Sequence, residues 1–226
     1  MKDYKKEAVM TDLNKHIEHT LLKQDAKKED FEKLFDEAKK YNFLGVCINP
    51  AYVKFAKEAL EGSEVKVVTV IGFPLGANKT EVKAFETSCA VADGADEVDM
   101  VLNVTALKDK DYEYVKEDIK AVKIAAKNSP LKVILETDLL TKDEIKKACE
   151  LCVEAKADFV KTSTGFVKNG VGAKVEDVKL MYETVNPYGL KVKASGGIRD
   201  KEAALKMLEA GAERLGTSSG VKIVEG

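Results

Sequence analysis

Lys156-Ala157-Asp158-Phe159-Val160-Lys161-Thr162 has two echoes in this chain, Gly94-Ala95-Asp96-Glu97-Val98-Asp99-Met100 and Gly211-Ala212-Glu213-Arg214-Leu215-Gly216-Thr217. In each, a small residue and an acidic one lead into a short run with the composition of a buried strand. Similar runs recur along the chain: Ile17–Leu22, Leu44–Ile48, Val65–Ile71, Glu97–Leu102, Lys132–Glu136, Phe159–Thr162, Lys191–Ala194 and Arg214–Thr217. Segments of helical period lie between them, near residues 28–41, 50–61, 79–93, 111–128, 142–155, 175–185 and 200–210. Asn49-Pro50 puts a capping residue before a proline at the first helical position. Thr141 and Glu144 have capping-box spacing, and Gly94 and Gly211 stand where helices should close. Strict alternation of strand and helix implies parallel strands joined by helical crossovers. Eight such units in 226 residues give an α/β chain with a single (β/α)8 TIM barrel over residues 13–226. Residues 1–12 are expected to form a short helical extension. An open doubly wound sheet is the competing architecture, but no Gly-x-Gly-x-x-Gly follows the first strand, which argues against its dinucleotide-binding form.

The three echoes open strands four, six and eight. Alternate strands of a barrel fill the same interior layer, so Asp99, Lys161 and Gly216, at one register position, should face one another. The odd strands echo as well: Leu131-Lys132-Val133-Ile134 aligns with Leu190-Lys191-Val192-Lys193, which puts Lys193 where an interior side chain is expected. Two lysines and an aspartate then point into one cavity.

That trio suits carbonyl chemistry. Two ammonium groups close together in a low dielectric repel, which depresses the pKa of one of them. Lys161, followed at once by the hydroxyl-rich turn Thr162-Ser163-Thr164-Gly165, would then attack a carbonyl as a neutral amine and form a Schiff base. Lys193 would remain the positive neighbour and Asp99 would pass protons. A buried Lys–Asp–Lys network that only holds the barrel together is the alternative, although such networks are costly to bury. Gly196 and Gly197 after strand seven, and Ser218 and Ser219 after strand eight, occupy the loops where these barrels bind phosphate. Glycine lets backbone N–H groups approach the oxygens, serine donates, and a helix start favours negative charge. A short final helix is expected after Gly220.

Composition narrows the partners. A net charge of −2 gives no electrostatic case for nucleic acid, and no apolar run approaches the ~20 residues that span a membrane. The stretch from Met1 to Asn14 lacks an apolar signal-peptide core, so a cytoplasmic location is expected. Cys47 and Cys89 sit in apolar segments and read as small core residues. Cys149 and Cys152 form a C-x-x-C in mid-helix, which suits packing better than redox chemistry. With only His16 and His19 present, metal ligation is poorly supported, and hydrogen-bonding roles are expected for both.

Several segments together resemble the deoxyribose-phosphate aldolase family from about Leu13 onward. They are Ile17-Glu18-His19-Thr20-Leu21-Leu22, Gly72-Phe73-Pro74-Leu75-Gly76, Glu97-Val98-Asp99-Met100-Val101, the run Phe159 to Phe166, Lys193 to Arg199, and Gly216 to Val221. The resemblance implies a class I, metal-independent lyase without a cofactor. It would reversibly cleave 2-deoxy-D-ribose 5-phosphate to D-glyceraldehyde 3-phosphate and acetaldehyde in deoxynucleoside catabolism, commonly as a homodimer. It also implies that Lys161 is the Schiff-base lysine, Lys193 the lysine that tunes it and Asp99 the proton-transfer partner. Gly165, Gly196, Gly197, Ser218 and Ser219 would surround the phosphate, with Glu18, Thr20 and Asp138 in support.

Two positions depart from the family pattern. Glu18 replaces the usual aspartate and is expected to help position the second lysine. Asp138 replaces cysteine or glycine; it would either lie at the catalytic mouth beside Glu136 or point to solvent and cap a helix. Another Schiff-base barrel enzyme, an acid–base phosphosugar isomerase and a non-catalytic sugar-phosphate sensor are the competing functions. Fold alone does not separate them.

Overall fold

The structure is a computed structural model that describes residues 12–226; the expected extension over residues 1–12 lies almost wholly outside that span. Leu13–His16 forms a 3-10 turn whose Leu13 is buried, and it leads into the first strand. The elements then run β1 (Ile17–Leu21), α1 (Lys28–Lys40), β2 (Gly45–Ile48), α2 (Val53–Ala59), β3 (Lys66–Ile71), α3 (Thr80–Ala92), β4 (Glu97–Val101), α4 (Val104–Lys108) and α5 (Tyr112–Ala126). After these come β5 (Leu131–Ile134), α6 (Lys142–Glu154), β6 (Phe159–Lys161), α7 (Val175–Val185), β7 (Lys191–Ser195), α8 (Lys201–Glu209), β8 (Arg214–Thr217) and α9 (Gly220–Glu225). The strands pair in sequence order, all parallel, and β8 closes on β1.

Burial explains the closure. Outward-facing strand residues such as Val46, Val67, Val98, Val133, Val160, Val192 and Leu215 are essentially inaccessible to solvent and pack with the inner faces of the helices. Both faces of every strand are therefore covered, as parallel sheets require. The barrel interior is divided. Leu22, Cys47, Val68 and Val70 form an apolar cluster joined by Phe73, whereas β1 and β4 to β8 contribute charged groups.

The local signals held in part. Thr141 and Glu144 form the anticipated reciprocal cap of α6, and Gly94 and Gly211 follow their helices with φ of 104° and 110°, a left-handed conformation that glycine adopts without penalty. Asn49 does not cap; its side chain donates to Leu22 O at 3.4 Å, and Pro50–Tyr52 is a 3-10 turn before α2. The fifth strand stops at Ile134 rather than Glu136, because Glu136 turns into the left-handed region at φ 62°.

One helix inverts expectation. Cys89 is exposed, not a core residue, because the buried stripe of α3 is Lys83, Thr87 and Ala90. Lys83 is fully buried, with Nζ donating to Asp118 Oδ2 at 2.7 Å and to Val101 O at 3.0 Å. A buried lysine requires such partners. Meeting them fixes the rotation of α3 and leaves Val82 and Phe85 half and 72% exposed.

Candidate active site

Lys161 ends β6 with 3% of its surface exposed, at the floor of a cavity of about 230 Å³. Its Nζ donates to Asp99 Oδ2 at 2.8 Å, and Lys193 Nζ donates to the same oxygen at 2.6 Å. The register makes this possible: Lys161 and Lys193 are direct neighbours on β6 and β7, and Asp99 sits on β4, one strand removed from β6. Lys193 also pairs with Glu18 of β1. The acceptor atoms of Glu18, Cys47 and Asp99 lie within 4.8 Å of one another, and both carboxylates hold the Lys193 ammonium.

The electrostatics follow from that packing. Burial by itself would lower the pKa of Lys193, but the carboxylates of Asp99 and Glu18 outweigh it and raise it. Burial likewise works against the Asp99 carboxylate, yet Lys132, Lys161 and Lys193 hold it well below the usual range. Asp99 is therefore an anion and Lys193 a cation at neutral pH. Lys161 alone of the three interior lysines lines the cavity.

Lys132 and Glu97 belong to this network, and the sequence reading passed over both. Lys132 Nζ lies 2.6 Å from Glu97 Oε2, 3.1 Å from Asp99 Oδ1 and 3.5 Å from Glu18 Oε1, with no surface exposed. Parity carried the signal: Lys132 is two residues from Ile134, and Glu97 two from Asp99, so each points inward with its neighbour.

The cavity walls are polar backbone and hydroxyls. Gly165, Gly196, Gly197, Ser218, Ser219 and Thr20 line it, as do Ser163, Ser195 and Arg199. Thr162 ties the strand ends together, donating from Oγ1 to Ser195 O and accepting from Ser195 N–H, each at 3.0 Å. Thr20 Oγ1 donates to Glu18 O at 3.0 Å. Arg199 was quoted within a motif but not singled out; among the described residues it and Lys161 are the cationic side chains lining the cavity. The rings of Phe73 and Phe166 meet edge to face at 5.1 Å.

His19 Nε2 lies 2.9 Å from Glu37 Oε2 and His16 Nδ1 lies 2.9 Å from Glu213 O, so both histidines have hydrogen-bonding roles. Cys149 and Cys152 are buried within α6, where burial pushes their thiols up.

Asp138 caps no helix; it lies with Glu136 in a small space that Gly165, Gly196, Gly197 and Arg199 also line. Strand alternation ends before it, in a 3-10 turn over Thr137–Leu139. Thr141 takes the capping role, and the Asp138 carboxylate instead meets Gly172 N–H and Lys174. Glu136 accepts from Thr164 N–H at 3.1 Å and from the Thr164 hydroxyl, and burial raises its pKa.

Residues 10–225 match the DeoC/LacD family aldolases. The chain belongs to that family. Among other members, the deoxyribose-phosphate aldolase of Finegoldia magna is 59% identical over 215 residues, which cover 95% of this chain and 100% of that protein. The deoxyribose-phosphate aldolase of Brevibacillus brevis is 61% identical over 214 residues, with 95% and 96% coverage. The tetrameric deoxyribose phosphate aldolase of Aeropyrum pernix superposes with a TM-score of 0.88 at 36% identity, covering 96% of this chain and 91% of that one. No helix among the described residues is long and apolar enough to cross a membrane.

Proposed function

We propose that this DeoC/LacD family aldolase reversibly cleaves 2-deoxy-D-ribose 5-phosphate to D-glyceraldehyde 3-phosphate and acetaldehyde through a Schiff base on Lys161. The observation that carries the reading is Lys161 Nζ, 2.8 Å from the Asp99 carboxylate at the floor of a cavity whose walls present glycines, serines and Arg199. The amine adds to the C1 carbonyl of the open sugar, and the carbinolamine loses water to give a protonated imine. That imine is an electron sink. Loss of the proton from the C3 hydroxyl sends the C2–C3 bonding pair into it, releasing the phosphorylated aldehyde and leaving an enamine. Protonation of the enamine carbon and hydrolysis release acetaldehyde and restore the amine.

The network gives each neighbour a part. Lys193 is held charged by two carboxylates beside Lys161 and keeps a fixed positive charge next to the reacting amine. Asp99, anionic and in contact with Lys161, stabilises the iminium and passes protons through water. Gly165, Gly196, Gly197, Ser218, Ser219 and Arg199 hold the phosphate, and Leu22 brings the edge of the apolar cluster to the same cavity. Homodimerisation fits the outward apolar residues Val82 and Phe85, one turn apart on α3, with Leu75 (76% exposed) in the loop before them. A Phe85→Glu variant that kept the wild-type mass in light scattering would remove that surface from the interface.

The test of the reaction is reductive trapping. Borohydride added with deoxyribose 5-phosphate or acetaldehyde should place a covalent adduct on Lys161, located by peptide mass spectrometry and missing from folded Lys161→Ala. An unmodified Lys161 in active protein would defeat the mechanism.

A further inference from the structure

The β6–α7 connection reaches the phosphate end of the cavity without interlocking side chains. Gly172 is buried, and a Cβ on it would stand 2.4 Å from Gly196 C. A Cβ on Gly197 would stand 2.4 Å from Val171 O. Ala173 N–H donates to Gly196 O at 3.1 Å. Residues 171–173 therefore lie backbone against backbone on Gly196 and Gly197, whose other side lines the cavity. Glycines add no side chain to fix that contact, and the N–H of buried Gly172 requires an acceptor.

Asp138 is that acceptor. Its side chain is 8% exposed; Oδ2 accepts from Gly172 N–H at 2.7 Å, and Oδ1 lies 3.1 Å from Lys174 Nζ. A carboxylate makes a shorter and stronger bond to an amide than a neutral oxygen does. The Lys174 ammonium offsets its charge, which would otherwise oppose an anion bound nearby. Asp138 lines a small space that shares Gly165, Gly196, Gly197 and Arg199 with the cavity that holds Lys161, and does not line that cavity itself.

We propose that Asp138 is a positioning residue for phosphate: by clamping Gly172 it holds residues 171–173 against Gly196 and Gly197 and so sets how tightly the phosphate end of the substrate is gripped. The inference rests on the aldolase reading only for its substrate. It acts on the phosphate and not on Lys161, so phosphorylated and unphosphorylated 2-deoxyribose respond differently.

The experiment compares kcat and KM for both sugars in wild type, Asp138→Ala and Asp138→Asn, with circular dichroism to establish folding. In Asp138→Ala, the ratio of kcat/KM for the phosphorylated to the unphosphorylated sugar should fall about tenfold, through KM. Asp138→Asn, which keeps an oxygen for Gly172 N–H, should recover most of the loss. An unchanged ratio, an equal loss with both sugars, or an Asn variant as impaired as Ala would each overturn the clamp. Calorimetric titration with inorganic phosphate repeats the comparison without any reaction: affinity should fall in Asp138→Ala, and equal affinity overturns the proposal. Wild-type protein that cleaves neither sugar would defeat the aldolase reading, and the phosphate titration would still decide the clamp.

Discussion

Lys193 extends across the barrel over Gly216, whose missing side chain leaves the room. A Cβ at Gly216 would stand 3.0 Å from Lys193 Cε and 2.9 Å from Ser195 Cβ. The backbone there is not left-handed, so the requirement is for space and not for glycine's conformational freedom. Gly216→Ala is expected to push the Lys193 stem aside, costing about 1–3 kcal/mol of stability. Displacing its ammonium from Asp99 should slow turnover by about ten- to a hundredfold. Stopped-flow turnover beside a urea titration reads both; a folded variant with wild-type kcat would show that Lys193 need not sit where it does.

Glu18 is one of the two carboxylates that keep Lys193 charged. Burial opposes charge on Lys193, and the Asp99 and Glu18 carboxylates reverse that. In Glu18→Gln one carboxylate is gone, so the Lys193 pKa falls. The form needed is the charged one, so its loss on the alkaline side of the kcat profile should come at lower pH in Glu18→Gln than in wild type. An alkaline limb that stays in place would separate Lys193 from the pH dependence.

Arg199 should govern the phosphate and not the chemistry. It lines the cavity with Gly196, Gly197, Ser218 and Ser219. Arg199→Met is expected to raise KM for deoxyribose 5-phosphate about tenfold or more while kcat changes little, since a contact kept throughout the reaction contributes uniform binding. Equal effects on the unphosphorylated sugar would place Arg199 in another role.

The barrel was legible because its strand–helix alternation repeats, and because three near-copies of one strand entry fix which residues share a layer. Lys161, Asp99 and Lys193 followed from that register. Lys132 and Glu97 did not, since a strand with lysine at its edge reads as half-exposed until the barrel is known to close over it. Lys83 and Cys89 exchanged places for a related reason: hydropathy assigns lysine to the surface and cysteine to the core, and only the partner Asp118, 35 positions away, reverses it. The contacts of Asp138 were illegible because its partner Gly172 is placed by a loop path, and Glu136 breaks the strand alternation from which the nearness of the two carboxylates was read.

Glu97 ties the bottom of the barrel to its acid stability. Burial alone would raise its pKa, but Lys132 and Lys66 draw it down to about 2 from an ordinary 4.5. Because the folded-state value is depressed, Glu97 contributes stability that is complete above about pH 4.5 and is lost as pH falls toward 2. The gap corresponds to about 3 kcal/mol. Urea midpoints measured from pH 6 to pH 2.5 should therefore show Glu97→Gln well below wild type at pH 6, with the two converging in acid. A gap that stayed constant across that range would mean that the variant loses packing around Lys132 rather than a charge.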